Sequence, residues 1–385
     1  MKATGKLKSL LAVAVMGASL TGCGMFSSEQ TRQPAELVSF EQEQTLQKLW
    51  SLSLGGDLGE KHHQLVASIS NDRIFAASAE GTVVAADLAT GEALWRRDIE
   101  EEIIGGVGAG NGLVVFSTLS GEVVALSADD GSERWRHQAS SEVVSQPQMN
   151  ADLLVVQQLD GKLTALEQDS GKLRWSYDSQ IPRLSLRGTA APVVAADITL
   201  AGFANGKLIA LENRRGRPVW EQRITLAEGR SELERIIDID ARPLVYNRLV
   251  YVAGYQGRLA AVNPANGQLV WAQDLSSYRG LAGGFGNVYA VSADDSLLAY
   301  DARTSASVWR QDGLTYRRLT TPAVLGNSLA VADGEGYLHL LSQIDGHFTG
   351  RYKLASAGVQ SDLLVKDDVL YALSDDGRLT ALKLQ

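Results

Sequence analysis

The side chains of this 385-residue chain that could do chemistry are five histidines, adjacent aspartate pairs and one cysteine. His62, His63, His137, His339 and His347 fall in neither HExxH nor another metal-ligand spacing. His62 and His63 would point to opposite sides of a strand, and the pair reads as solvated loop histidines. Asp129-Asp130, Asp294-Asp295 and Asp375-Asp376 resemble acid pairs for catalysis or calcium binding. Each sits at a turn, however, where Asp is favoured because its carboxylate accepts nearby backbone N–H groups. The sequence has no G-x-S-x-G elbow, phosphate loop or dinucleotide fingerprint. The expectation is no catalytic residue, no metal site and no cofactor.

Cys23 is left, and its surroundings point to covalent modification. Met1 to Lys8 carries three lysines and no acid, Leu10 to Leu20 is apolar, and Leu20-Thr21-Gly22-Cys23 follows. The apolar run is too short to span a bilayer and has the layout of a secretory signal. Its ending resembles the lipobox of bacterial lipoproteins, in which the cysteine is acylated and becomes the mature N-terminus. Gly24, in place of Asp, is similar to the outer-membrane sorting pattern of those lipoproteins. Residues 1–22 are therefore read as a signal peptide and 23–45 as a lipidated tether, polar and without period.

The remainder is organised by a repeat. Ala85-Ala86-Asp87-Leu88-Ala89-Thr90-Gly91-Glu92-Ala93-Leu94-Trp95 reads as two strands around a tight turn, and its pattern recurs along the chain. First glycines stand at 81, 121, 161, 206, 257, 336 and 377, with Asp295 in the sixth unit. Second glycines follow at 91, 131, 171, 216, 267 and 346, with Ser305 in the sixth. All seven tryptophans, Trp50, Trp95, Trp135, Trp175, Trp220, Trp271 and Trp309, hold one register, and Gly350 breaks it. Pro147, Pro192, Pro243 and Pro322 mark the start of each β-branched run, where a missing N–H is tolerated. A period near 40–45 residues with four short strands is that of a β-propeller blade. Eight units are present over residues 46–385. The last ends after its third strand at Ala381-Leu382-Lys383-Leu384, whereas Trp50 belongs to a strand without a unit. The fold class expected is all-β: an eight-bladed propeller of four-stranded antiparallel blades, closed by the N-terminal strand pairing into the last blade.

On such a scaffold, function is expected where the repeat is interrupted. The links from Trp175 to Pro192 and from Trp220 to Pro243 are the long ones, and they are neighbours on one face. The first, Gln180 to Gly188, sets Leu184 and Leu186 between Arg183 and Arg187, the composition of a protein interface. The second, Ala227 to Asp240, carries Glu228, Arg230, Glu232, Glu234, Arg235, Asp238 and Asp240 and could form a short charged helix before an acidic turn. Both loops could instead fold back and bury their leucines over a blade. The link after Trp50 is a lesser candidate.

Hydrophobic residues make up 45% and charged residues 21%, which excludes wholesale disorder. Formal net charge is −9, and losing the three lysines of the signal takes it to −12, which argues against nucleic acid. A single cysteine excludes an intramolecular disulfide.

The run A-x-D-x-x-T-G-x-x-x-W resembles the docking repeat of quinoprotein dehydrogenases, eight-bladed propellers that hold PQQ under a vicinal disulfide and over calcium. Cys23 alone cannot make that disulfide, so this resemblance supports the fold and tells against the cofactor. Taken with the lipobox and the I-P-R-L-S-L-R-G loop, the chain resembles the BamB (YfgL) family of outer-membrane protein assembly lipoproteins over essentially its whole length. That resemblance implies a non-enzymatic scaffold of the BAM complex, anchored by lipid to the periplasmic face of the outer membrane. It implies binding to the POTRA domains of BamA through Leu184, Leu186, Arg187, Asp238 and Asp240, and assistance to β-barrel insertion. The open outer strands of the blades could also take unfolded substrate by β-augmentation. A quinoprotein-like enzyme or a small-ligand binder using the central channel is the alternative.

Overall fold

Each repeat unit is a meander because its punctuation leaves no other path. In the first, the strands Ser68–Ser70, Arg73–Ala77, Thr82–Asp87 and Ala93–Asp98 pair antiparallel in chain order. Gly81 turns the chain between the second and third strands, and Gly91 between the third and fourth, both with positive φ. The computed structural model describes residues 32–59, 63–180, 182, 184, 189–226, 230–231 and 235–385. Among these there is no helix, and residues 34–385 form one unit. Blades 1 to 7 span residues 68–98, 108–138, 148–178, 193–223, 244–274, 282–311 and 323–353, each a four-stranded sheet in sequence order. Blade 8 takes Leu364–Lys366, Val369–Ser374 and Arg378–Leu384 from the C-terminus and Leu46–Ser53 from the N-terminus. Leu46 pairs with Leu384 and Trp50 with Ala381, so the ring closes without a covalent turn at this blade.

The second and third strands of every blade are buried on both faces and read as continuous apolar runs, such as Leu113–Ser117 and Leu153–Gln157. The fourth strands are edges, and their side chains are mostly exposed apart from tryptophan. Every tryptophan pairs with an alanine on the adjacent strand of its blade: Ala85, Ala125, Ala165, Ala210, Ala261, Ala299 or Ala381. The small partner leaves room for the indole, which leans onto the next blade. There its Nε1–H donates to a turn carbonyl, for example Trp95 to Ala128 at 3.0 Å, Trp220 to Pro264 at 2.9 Å and Trp50 to Leu88 at 3.1 Å. The second glycine of the receiving blade lies under the ring. A Cβ on Gly171 would stand 2.5 Å from Trp135, and one on Gly131 2.8 Å from Trp95. Asp87 completes the motif by accepting from the N–H groups of Ala89 and Thr90 and from the Thr90 hydroxyl. The repeat is thus one joint, in which Asp shapes a turn, Gly opens it and the preceding Trp fills it.

The segment assigned to the tether is, in its second half, part of this unit. Ala35 N–H donates to the Thr315 carbonyl, and the N–H groups of Glu43 and Gln44 both donate to Thr349, each at 2.9 Å.

Candidate functional site

The two long links follow blades 3 and 4 and leave the ring on the face that carries the first-glycine turns. The base of the first is fastened by Asn205, whose amide donates to Ser179 Oγ at 3.0 Å and to the Gln180 carbonyl at 2.9 Å. Leu184 is 47% exposed, which is the side of the leucine–arginine alternative that leaves an apolar anchor in water. Leu186 and Arg187 lie outside the described residues, as does Cys23.

The second link is different. Ile224 and Thr225 are buried, and Leu226 then emerges 59% exposed. Most of the expected short helix lies outside the described residues; of those described, Arg230, Ser231 and Arg235 are exposed, and Arg235 N–H donates to the Ser231 carbonyl at 3.2 Å. The chain then dives inward. Ile237 and Ile239 are buried against Gly206 and Gly202, positions where a Cβ would collide with them. Asp238 forms a bridge to Tyr255, accepting its N–H at 2.8 Å, and is only 2% exposed. Asp240 lines a cavity of about 900 Å³ at the mouth of the central channel, together with Arg242, Tyr255, Tyr278 and Arg279.

Burial pushes both carboxyls above the ordinary carboxylate range, and for Asp238 the Asp240 charge adds to the shift. Asp238 Oδ2 and Asp240 Oδ1 are buried with no hydrogen-bond partner. Asp240 therefore belongs to the wall of the cavity, and Asp238 is buried and offers no exposed carboxylate. The structure separates the candidate residues into an outer set, Leu184, and an inner set, Asp238 and Asp240.

Sequence reasoning passed over Leu226. Its signal was available, a lone apolar residue ahead of a charged run, but a single leucine at a blade end reads as core. His63 also departs from expectation. Its side chain is 2% exposed, with Nε2 2.9 Å from Glu102 Oε1, so it is a buried histidine and not a solvated one. Asp130 serves its own turn, accepting the Ser132 N–H at 3.0 Å. Asp375 and Asp295 instead fasten links between blades: Asp375 accepts the Gln360 N–H at 3.0 Å, and Asp295, itself at φ 63°, accepts the N–H groups of Arg318 and Leu319. Among the described residues, no three His, Cys, Asp or Glu side chains converge as a metal site requires.

Comparison with known proteins converges on one family. The profile described as outer membrane protein assembly factor BamB matches residues 35–105 and 79–311. The BamB of Pseudomonas aeruginosa is 50% identical over 380 residues, covering 99% of both chains. That of Alkalilimnicola ehrlichii is 47% identical over 336 residues, 87% of this chain and 88% of the relative. Among solved structures, the crystal structure of BamB from Moraxella catarrhalis superposes with a TM-score of 0.82 at 31% identity, covering 88% of this chain and all of that one. A quinohemoprotein alcohol dehydrogenase from Pseudomonas putida reaches a TM-score of 0.71 at 12% identity over 88% of this chain and 76% of its own, a likeness of fold alone.

Proposed function

This chain belongs to the family of the outer membrane protein assembly factor BamB, and from that premise we propose that it acts as the lipid-anchored, non-enzymatic scaffold of an outer-membrane β-barrel assembly (BAM) complex. The observation that carries the reading is the 50% identity with the Pseudomonas aeruginosa protein along 99% of both chains. Acylation at Cys23 attaches the protein to the periplasmic face of the outer membrane. The disc presents the links after blades 3 and 4 to the POTRA domains of BamA.

Leu184, Leu186 and Arg187 are the contact residues in this reading. Leu184 supports it by standing 47% exposed in a link whose base is pinned. Leucines alternating in sequence with arginines have the composition of an interface hot spot. Asp238 and Asp240 act one layer below, holding the second link against the channel wall, and Leu226 extends the apolar contact on the neighbouring link. The enzyme alternative has only a fold-level likeness at 12% identity behind it, and a chain with one cysteine lacks the vicinal disulfide of the quinoproteins.

The test is copurification from outer membranes. BamA is expected to accompany the unaltered protein and to be lost from the triple variant Leu184→Ala, Leu186→Ala, Arg187→Ala, while the melting temperature stays unchanged. Normal BamA recovery with that variant would refute the assigned contact, and absence of BamA from the unaltered protein would refute the partner. A quinone absorbance in the purified protein would revive the enzyme reading.

A further inference from the structure

The flank of blade 7 contains a buried polar cluster that reaches beyond the turn in which Asp333 Oδ1 accepts the Glu335 and Tyr337 N–H groups. Asp333 and His339 have fully buried side chains, and Arg317 is 3% exposed. Arg317 Nε donates to Asp333 Oδ2 at 2.7 Å, His339 Nε2 lies 3.0 Å from the same oxygen, and Arg351 Nε donates to His339 Nδ1 at 3.3 Å. A ring that accepts at Nδ1 and donates from Nε2–H is neutral. Burying such a group of charges is costly unless their remaining donors find acceptors.

Glu335 accepts from one of these donors, Arg317 Nη2, at 2.5 Å, and two further acceptors are on the N-terminal segment. Arg317 Nη1 donates to the Ala35 carbonyl at 2.8 Å, and Arg351 Nη1 to the Val38 carbonyl at 3.0 Å. Phe40 stacks on Phe348 with centroids 5.5 Å apart, and the Arg351 guanidinium lies 4.9 Å from the Phe40 ring. Leu37 and Phe40 pack on the apolar core of blades 6 and 7. Glu43 and Gln44 then bond the outer strand of blade 7, where Gly350 permits the approach: a Cβ there would lie 2.6 Å from the Gln44 carbonyl oxygen.

We infer that residues 35–45 form a permanent strap, that the edge of blade 7 is an interaction surface whose occupant is this chain's own N-terminal segment, and that the strap decides which rim of the disc faces the membrane. The orientation rests on the proposed anchor at Cys23. Twelve residues lead from Cys23 to Ala35, a span of at most about 40 Å. The radius of gyration of a domain this long is about 20 Å, so the reach is comparable to the disc itself. Blade 7 is then on average the rim nearest the lipid. Blade 3 stands four places round an eight-bladed ring, at the far rim, so the links after blades 3 and 4 face away from the bilayer toward a soluble partner.

Two measurements on the full chain test this. In hydrogen exchange, the amides of Glu43 and Gln44 should be protected, and Phe40→Ala with Arg351→Ala should speed their exchange at least tenfold while blade 3 amides stay unchanged. Exchange at the free-peptide rate in the unaltered protein overturns the strap. For orientation, Ile344→Cys and Asp169→Cys place a dye at equivalent turns of blades 7 and 3 in lipidated protein bound to vesicles with headgroup quenchers. Stronger quenching at 344, abolished by the double variant, supports the inference. Equal quenching at the two sites, or a difference that survives the double variant, overturns it. Vesicle binding by Cys23→Ser separates a failure of the anchor from a failure of the strap, which exchange reads without lipid.

Discussion

Seven of the eight joints between blades are closed by a tryptophan, and the joint from blade 7 to blade 8 is not. Each of the seven tryptophans lies on the turn between the third and fourth strands of the next blade, and six of them lie over its second glycine. In blade 8 the third and fourth strands come from opposite ends of the chain, so that turn does not exist. Blade 7 accordingly has Gly350 where the others have Trp, and the hairpin partner changes with it from alanine to Leu340. Large facing small has become small facing large. The missing tryptophan is therefore a consequence of how the ring closes. The eighth joint is sealed by the strap over Gly350 and by Gln385 N–H donating to the Thr45 carbonyl at 2.9 Å.

The contrast can be broken by mutation. Trp135→Ala removes a buried aromatic at a working joint, together with its 2.6 Å hydrogen bond to the Gln168 carbonyl, and should cost about 3–5 kcal/mol in urea unfolding. A loss near zero would mean the indoles are ornaments of the rim. Gly350→Trp restores the repeat consensus at the joint without a turn. It should destabilise by about 1–3 kcal/mol, as overpacking against Leu340 and the strap does, and a stabilised variant would show that the eighth joint can accept the fastener.

Asp238 and Asp240 supply a pH test away from the joints. Their pKa values are higher in the folded chain than in the unfolded one, so the folded state binds more protons as pH rises above about 4. Their contribution to stability consequently falls as pH climbs from the ordinary carboxylate range through the raised values. Asp238→Asn should flatten that decline in urea midpoints taken at pH 5, 7 and 9, and an unchanged slope would place the pair in solvent. Ser305→Gly is the mildest test. Ser305 holds φ 66° where the other joints use glycine, but its carbonyl and hydroxyl accept the Gln273 amide. Relief of backbone strain less the lost hydroxyl bond should leave a gain below about 1 kcal/mol in the same unfolding assay.

How far the sequence could be read follows the same division. The joints are local and periodic, so Trp, Gly and the opposed Ala declare them, and the unmatched Trp50 strand was enough to imply closure with residues near 384. The strap was not legible. Residues 24–44 are polar without period, and the partners of Ala35, Val38 and Phe40 lie some three hundred positions away at Arg317, Phe348 and Arg351. In the candidate site, link length was the legible signal for the segments after blades 3 and 4. Burial of the acidic pair could not be inferred, because aspartates in a charged loop are ordinarily solvated. Their enclosure depends on Ile237 and Ile239 finding the bare backbone of Gly206 and Gly202 in the preceding blade.

The pairing of Leu46 with Leu384 has a consequence for the order in which the molecule is made. The first strand of the disc to be synthesised finds its partner only when the last is complete. Bringing those ends together across 338 residues carries a closure entropy of about 5 kcal/mol if nothing intervening is folded. Blades 1 to 7 have all their own strands and can shorten that loop as they form, so circularisation becomes the terminal step of maturation. Until then Leu46–Ser53 is an unpaired edge, and a nascent chain halted before Arg378 would carry an open ring with a sticky end.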